Sequence, residues 1–202
     1  MSSRPTLSHA DRLIHSGTLE KIKALYTAID SAYLKVAKHY RFDCHGCSDN
    51  CCGTLFFHHT LIEFLYLREG FATLDRAMGK EIIHLSKAYI REIESLPDLT
   101  RKRVMCPLNH GGLCVLYSYR PMICRLHGVP YELDVSVKRP DHGQGCHKFV
   151  SENSEPKDGY LKIDRAPFYK EMASLEINLR RQAGFNKRYR YTVADVFRDL
   201  SA

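Results

Sequence analysis

Four cysteines, Cys44, Cys47, Cys51 and Cys52, stand within nine residues, and Cys106, Cys114, Cys124 and Cys146 follow downstream. Thiolates crowded this closely repel one another unless a cation neutralises them. The run must therefore be organised by a metal ion, an iron–sulfur cluster or disulfides. The expected compartment separates these alternatives. Met1-Ser2-Ser3-Arg4-Pro5 leads into a polar, charged stretch without an apolar signal core. No apolar run approaches the roughly 18 residues of a membrane span. The expectation is a cytoplasmic protein, where thiols stay reduced, and metal ligation is preferred to disulfide bonding.

Apolar residues make up 44% of the 202-residue chain and charged residues 26%, enough apolar material for a buried core. The expectation is one domain over 1–202, with an N-terminal helix at 16–41, a cysteine region at 43–147 and a C-terminal helical segment at 164–202. The formal charge of +7 counts the thiols as neutral. Eight ionised thiols around two divalent ions would offset more than half of it, so basicity does not require a nucleic-acid partner.

Leu19, Ile22, Tyr26, Ile29, Tyr33, Val36 and Tyr40 alternate at spacings of three and four. That spacing predicts an amphipathic helix with Ser16 as its cap, delivering the chain to the cysteine run; its apolar stripe reads as core packing. Thr60 is expected to cap a helix reaching Arg68, with Gly70 near its end. A further helix from Thr73 carries Leu74, Met78, Ile82, Leu85, Tyr89, Ile93 and Leu96 until Pro97. Glycines and prolines punctuate Cys106 to Cys146, predicting loops with a short strand at Tyr131 to Val137. Pro167 opens a helix that stops at Gly184, and Thr192 caps a last one from Val193 to Leu200. The fold class is mainly α: several packed helices around an irregular, loop-rich, cysteine-pinned segment with at most a short β element.

Within Cys44-His45-Gly46-Cys47, the two-residue spacing lets both sulfurs converge on one ion while intervening amides donate to them. The adjacent Cys51 and Cys52 are expected to diverge. Downstream, Pro121 opens a short helix that places Cys124 in its first turn, with Arg120 and Arg125 adding positive charge on either side. Arg120 paired with a carboxylate is the equal alternative. All eight cysteines are candidate ligands. Cysteine suits both zinc and iron, so softness does not choose between zinc, iron and an iron–sulfur cluster.

Cys44-x2-Cys47-x3-Cys51-Cys52, Cys106-Pro107-Leu108, Gly112-x-Cys114, Arg120-Pro121-x2-Cys124-Arg125 and Gly145-Cys146 together resemble the CxxCxxCC, or YkgJ-type, cysteine-cluster family. The resemblance spans about residues 43 to 147. It implies a zinc- or iron-chelating domain similar to the cysteine-rich part of flagellin lysine N-methylases. One departure stands out: three residues precede the double cysteine here, where the family pattern has two.

Other signals point less sharply. His45, His127 and His147 lie beside cysteines but are needed as ligands only if some thiols are spectators. His58-His59 reads as a solvated approach to a helix. Arg180, Arg181, Lys187, Arg188 and Arg190, interleaved with Phe185, Tyr189 and Tyr191, form a basic stretch that reads as a solvated helix end in preference to a nucleic-acid surface. No glycine-rich phosphate loop, nucleophile elbow or H-E-x-x-H is present. Three readings stay open: a metal-binding protein, an iron–sulfur enzyme of methylase or redox type, and a zinc-stapled interaction module that binds nucleic acid or an acidic partner. Oligomeric state is open as well.

Overall fold

A computed structural model describes residues 17–44, 47, 51–95, 103–134, 141–153, 159–186, 188 and 190–200. Among them are seven α-helices and two small sheets, a mainly α fold with short β elements. The chain divides into two compact units, each assembled from separated stretches. The first contains the described residues of 50–120 and 178–202, the second those of 17–49 and 121–177.

In the second unit, helix α1 (Leu19–Tyr40) buries Ile22, Leu25, Tyr26, Ile29, Val36, Ala37 and Tyr40. Each large apolar side chain removed from water stabilises the fold by about 2 kcal/mol. Ser16, the expected cap, lies outside the described residues. At the other end Arg41 takes a left-handed conformation at φ 53°. Its N–H donates to Lys38 O at 3.2 Å, and the Phe42 N–H donates to Ala37 O at 2.8 Å. This paired closure normally employs glycine. Here an arginine takes that geometry, and the next residue, Phe42, is buried as the chain turns towards Cys44.

Helix α4 (Met122–Leu126) packs on α1. A three-stranded sheet of β3 (Tyr131–Leu133), β4 (Asp141–Gly143) and β5 (Ile163–Asp164) has the order β4-β3-β5. Strand β3 pairs antiparallel with β4, placing Tyr131 opposite Gly143, and parallel with β5, placing Tyr131 opposite Ile163. The expected strand thus starts at Tyr131 and is described as far as Leu133; the remainder of its expected span falls largely outside the described residues. Helix α5 (His147–Glu152) buries Phe149 edge-on to Tyr40 and Phe42, at 4.9 and 5.2 Å between ring centres.

In the first unit, helix α2 (Leu61–Phe71) begins after Thr60 as expected but runs past Gly70. Gly70 does not stop the helix. A Cβ there would run into the Tyr119 ring, so the glycine admits an aromatic ring against the backbone. Thr73 does not cap the next helix either: its hydroxyl donates to Gly70 O at 2.7 Å and closes α2. Asp75 caps α3 (Arg76–Glu94) by accepting the Met78 N–H at 2.9 Å. A carboxylate at the helix start is the stronger acceptor and also complements the helix dipole. The buried face of α3 carries Ile82, Ile83, Ser86 and Tyr89, whereas Leu85, expected in the core, is 37% exposed. Leu96 and Pro97 lie outside the described residues.

Helix α6 (Ala166–Ala183) starts one residue before Pro167 and ends at Gly184, whose φ is 61°. The Asp164 side chain accepts the Ala166 N–H at 2.9 Å. In α7 (Val193–Phe197) the Asp195 carboxylate accepts from both the backbone and the hydroxyl of Thr192, each at 2.8 Å. That capping box opens the helix, which ends at Phe197, short of the expected Leu200. Helix α7 packs on α2 and α3. The first unit's core gathers Leu67, Ile82, Leu108, Leu116, Tyr191, Val196 and Phe197.

Candidate metal centre

Among the described residues, which include all eight cysteines, no disulfide is formed. The thiols fall four to each unit. Cys51, Cys52, Cys106 and Cys114 belong to the first; Cys44, Cys47, Cys124 and Cys146 belong to the second. The contiguous run is thereby divided after Cys47.

In the first unit a one-turn 3-10 helix, Cys51–Gly53, carries the double cysteine, and the Thr54 N–H closes the turn on Cys51 O at 2.9 Å. Thr54 then pairs antiparallel with Arg103. The Cys106 N–H donates to Cys52 O at 2.9 Å, tying the two cysteine segments backbone to backbone. From Cys106 the chain enters a hairpin of β1 (Asn109–His110) and β2 (Leu113–Cys114), with Asn109 opposite Cys114. Cys106 and Cys114 therefore stand at the two ends of one short loop, both packed against the unit's core.

The electrostatics follow from this assembly. Hydrogen bonding from the Cys51 thiol pulls Cys52 down to about 6 against the opposing effect of burial, and the Asn109 amide assists. The adjacent side chains thus hydrogen-bond each other where divergence was expected. Cys106 is pushed up to about 12, first by burial and then by repulsion from Cys114 and Cys52. Asn109 Nδ2 is buried without a conventional hydrogen-bond partner, and it is one of the groups that favour the Cys52 thiolate. A donor placed beside a sulfur in this way is what a metal-ligating thiolate uses as outer-shell support.

In the second unit, Tyr33 Oη hydrogen-bonds Cys44 Sγ at 3.3 Å. Burial raises the Cys44 thiol; Tyr33 opposes this, and the charges of Cys146 and Cys47 add to the rise. Gly128 lies between these groups. A Cβ on it would stand 3.6 Å from Cys44 Sγ and 3.1 Å from Tyr33 Oη, while its carbonyl accepts the Cys146 N–H at 3.0 Å. Cys146 caps α5, its sulfur accepting the Phe149 N–H at 3.5 Å. Lys148 donates to Asp43 O at 2.7 Å, and the thiols of Cys47 and Cys44 reinforce its charge after that of Glu152. Cys124 is exposed on α4, four residues before Gly128.

The arginines flanking Cys124, expected to add charge on either side of it, each have a further partner. Arg125 is buried, donating from Nη1 to Asp30 Oδ2 at 2.6 Å and lying 4.0 Å from the Tyr26 ring centre. It pins α4 to α1. Arg120 instead donates to Tyr117 O at 3.1 Å and lies 3.6 Å over the Tyr117 ring. His147 is exposed, His127 is half-buried, and His45 lies outside the described residues.

His58 corrects its expected solvated placement: it is 5% exposed and exchanges backbone hydrogen bonds with Tyr191 at 2.7 and 3.0 Å. Burial depresses its pKa, opposed by Glu63. The basic stretch partly folds onto the first unit. Arg190 lies 3.3 Å over Phe57, Arg180 donates to His59 O at 3.1 Å, and Tyr191 is buried; Lys187 and Tyr189 lie outside the described residues.

Three supporting side chains escaped sequence reasoning. Tyr33 follows the same helical stripe as the core residues, so nothing in the pattern distinguishes it. Asn109 and Lys148 sit within three residues of Cys106 and Cys146, and that proximity was the available signal.

As the side chains stand, no three His, Cys, Asp or Glu among the described residues are gathered tightly enough to hold a metal ion. Tetrahedral ligation at a Zn–S length of ~2.3 Å requires sulfurs about 3.8 Å apart. The donors are of the type that zinc or iron takes. Among the described residues no helix is long and apolar enough to cross a membrane. Comparison with protein-family models, with curated proteins and with solved structures finds no match to this chain.

Proposed function

We propose that this chain is a metal-binding protein that takes up zinc or iron, the latter as ions or as an iron–sulfur cluster, through its clustered cysteines. The observation that carries the reading is the union of Cys51-Cys52 with the Cys106–Cys114 hairpin by backbone pairing, with a buried Asn109 amide beside the sulfurs. Burial first, with the charges of Cys114 and Cys52 adding repulsion, holds the Cys106 thiol up. A cation that replaces their protons removes that repulsion, and the binding free energy becomes folding free energy. The resemblance to the YkgJ-type family points the same way. The metal would brace the loop segments that carry the cysteines.

Anaerobic purification followed by elemental analysis and an absorption spectrum tests this. At least one equivalent of zinc or iron, with thiols unreactive until a chelator is added, is expected. Iron–sulfur absorption would mark a cluster, and a colourless preparation would mark zinc. Less than one equivalent, with freely titrating thiols, would end the reading.

A further inference from the structure

Resting on that metal-binding reading, we infer that the eight thiols form two separate four-cysteine sites. One is Cys51, Cys52, Cys106 and Cys114; the other is Cys44, Cys47, Cys124 and Cys146. Each takes one thiophilic centre. The nine-residue run, which looks like a single site in the sequence, is then two half-sites joined end to end.

The partition follows from the backbone. Cys51 and Cys52 are bound to the downstream hairpin through two connections, the Thr54–Arg103 bridge and the Cys106 N–H to Cys52 O bond at 2.9 Å. The Val115 N–H closes the hairpin on Leu108 O at 2.9 Å, which fixes Cys114 relative to Cys106. Cys44 is instead engaged by Tyr33 of α1 and faces Gly128, whose carbonyl holds Cys146. Cys47 lies in the same compact unit as Cys44, apart from Cys51 and Cys52. Cys124 belongs to this set because α4, packed on α1, leads directly into Gly128.

The two sets also differ in their surroundings. Four thiolates around one divalent ion retain two negative charges, and neighbouring donors must accommodate them. The first set has the Asn109 amide and the wall of the apolar core. The second has the Tyr33 hydroxyl and the Lys148 ammonium, which donates to Asp43 O beside Cys44; two of its cysteines are exposed, Cys44 and Cys124, against Cys51 alone in the first. The ion in the second set should therefore exchange faster.

The test uses the full chain, stripped of metal under reduction and titrated with cobalt(II), whose tetrahedral thiolate complexes absorb visible light. Wild type should take up two equivalents. Cys51→Ser and Cys124→Ser, both at exposed positions, should each lose one. The pair Cys51→Ser/Cys114→Ser should still lose one, and Cys51→Ser/Cys124→Ser should lose both. A same-set pair that abolishes all binding, a cross-set pair that loses only one equivalent, or a wild-type stoichiometry of one would overturn the partition while leaving metal binding intact. Binding below one equivalent would instead overturn the underlying reading. If a variant fails to fold, NMR of the cadmium-loaded wild type decides. Two metal signals, each correlated with the cysteine protons of one set, support the partition; one signal correlated with both sets refutes it.

Discussion

Replacing Gly128 with alanine tests how the second thiol set is built. Gly128 has a φ of 114°, outside the left-handed well that other residues occasionally enter. Forcing a side-chain-bearing residue there costs about 1–3 kcal/mol. The new methyl would stand 3.1 Å from Tyr33 Oη, 3.4 Å from Phe42 Cε1 and 3.6 Å from Cys44 Sγ. Only the first contact is tight, and a tyrosine hydroxyl at the end of its side chain yields easily. The less flexible unfolded chain returns about 0.4–1 kcal/mol. Net destabilisation should be about 1–2 kcal/mol, chiefly from the backbone.

Urea unfolding of metal-free Gly128→Ala gives the total, and hydrogen exchange read by mass spectrometry should place the loss of protection around 121–134. Adding Tyr33→Phe separates the two causes. It relieves the crowding and leaves the dihedral strain, so it should restore less than half the loss. A stability within 0.5 kcal/mol of wild type, or full restoration by Tyr33→Phe, would refute the argument that backbone geometry at Gly128 dominates.

Two further outcomes follow from the first unit. Gly70→Ala gains about 1 kcal/mol of helix propensity but drives a methyl into the Tyr119 ring, so urea unfolding should show a net loss of about 1–2 kcal/mol, and Tyr119→Ala in the same chain should reverse its sign. Burial holds the folded-state pKa of His58 below its unfolded value of about 6.5. Its contribution is fully present above that value and is lost as pH falls, by about 1.4 kcal/mol per unit until the folded pKa is reached. His58→Phe should therefore flatten the stability profile between pH 7 and 5 relative to wild type, and an unchanged slope in urea midpoints would remove His58 from the acid response.

What the sequence revealed and concealed follows from the range of the forces involved. Helix α1 was legible because seven apolar residues at helical spacing answer to local geometry alone. Caps were legible where one strong acceptor stood unopposed, as at Thr192 with Asp195, and misread where two competed, as at Thr73 and Asp75. Gly70 reads as a stop signal until Tyr119, far along the chain, is seen to occupy the space of its missing side chain. The cysteines announced a site by number, yet their division depends on pairing between segments more than fifty residues apart. Arg125 illustrates the same limit: its neighbour in sequence is Cys124, but its partner in space is Asp30.

The interleaving of the two units has a consequence for synthesis. The second unit draws on nothing later than residue 177, so its segments are all available while the last stretch of chain is still being made. The first unit waits for Tyr191, Val196 and Phe197, which sit at the centre of its core. Until those residues emerge from the ribosome, the hairpin bearing Cys106 and Cys114 lacks part of the apolar wall behind it. A nascent chain halted before residue 190 should thus leave the thiols of that hairpin more reactive than they are in the finished chain.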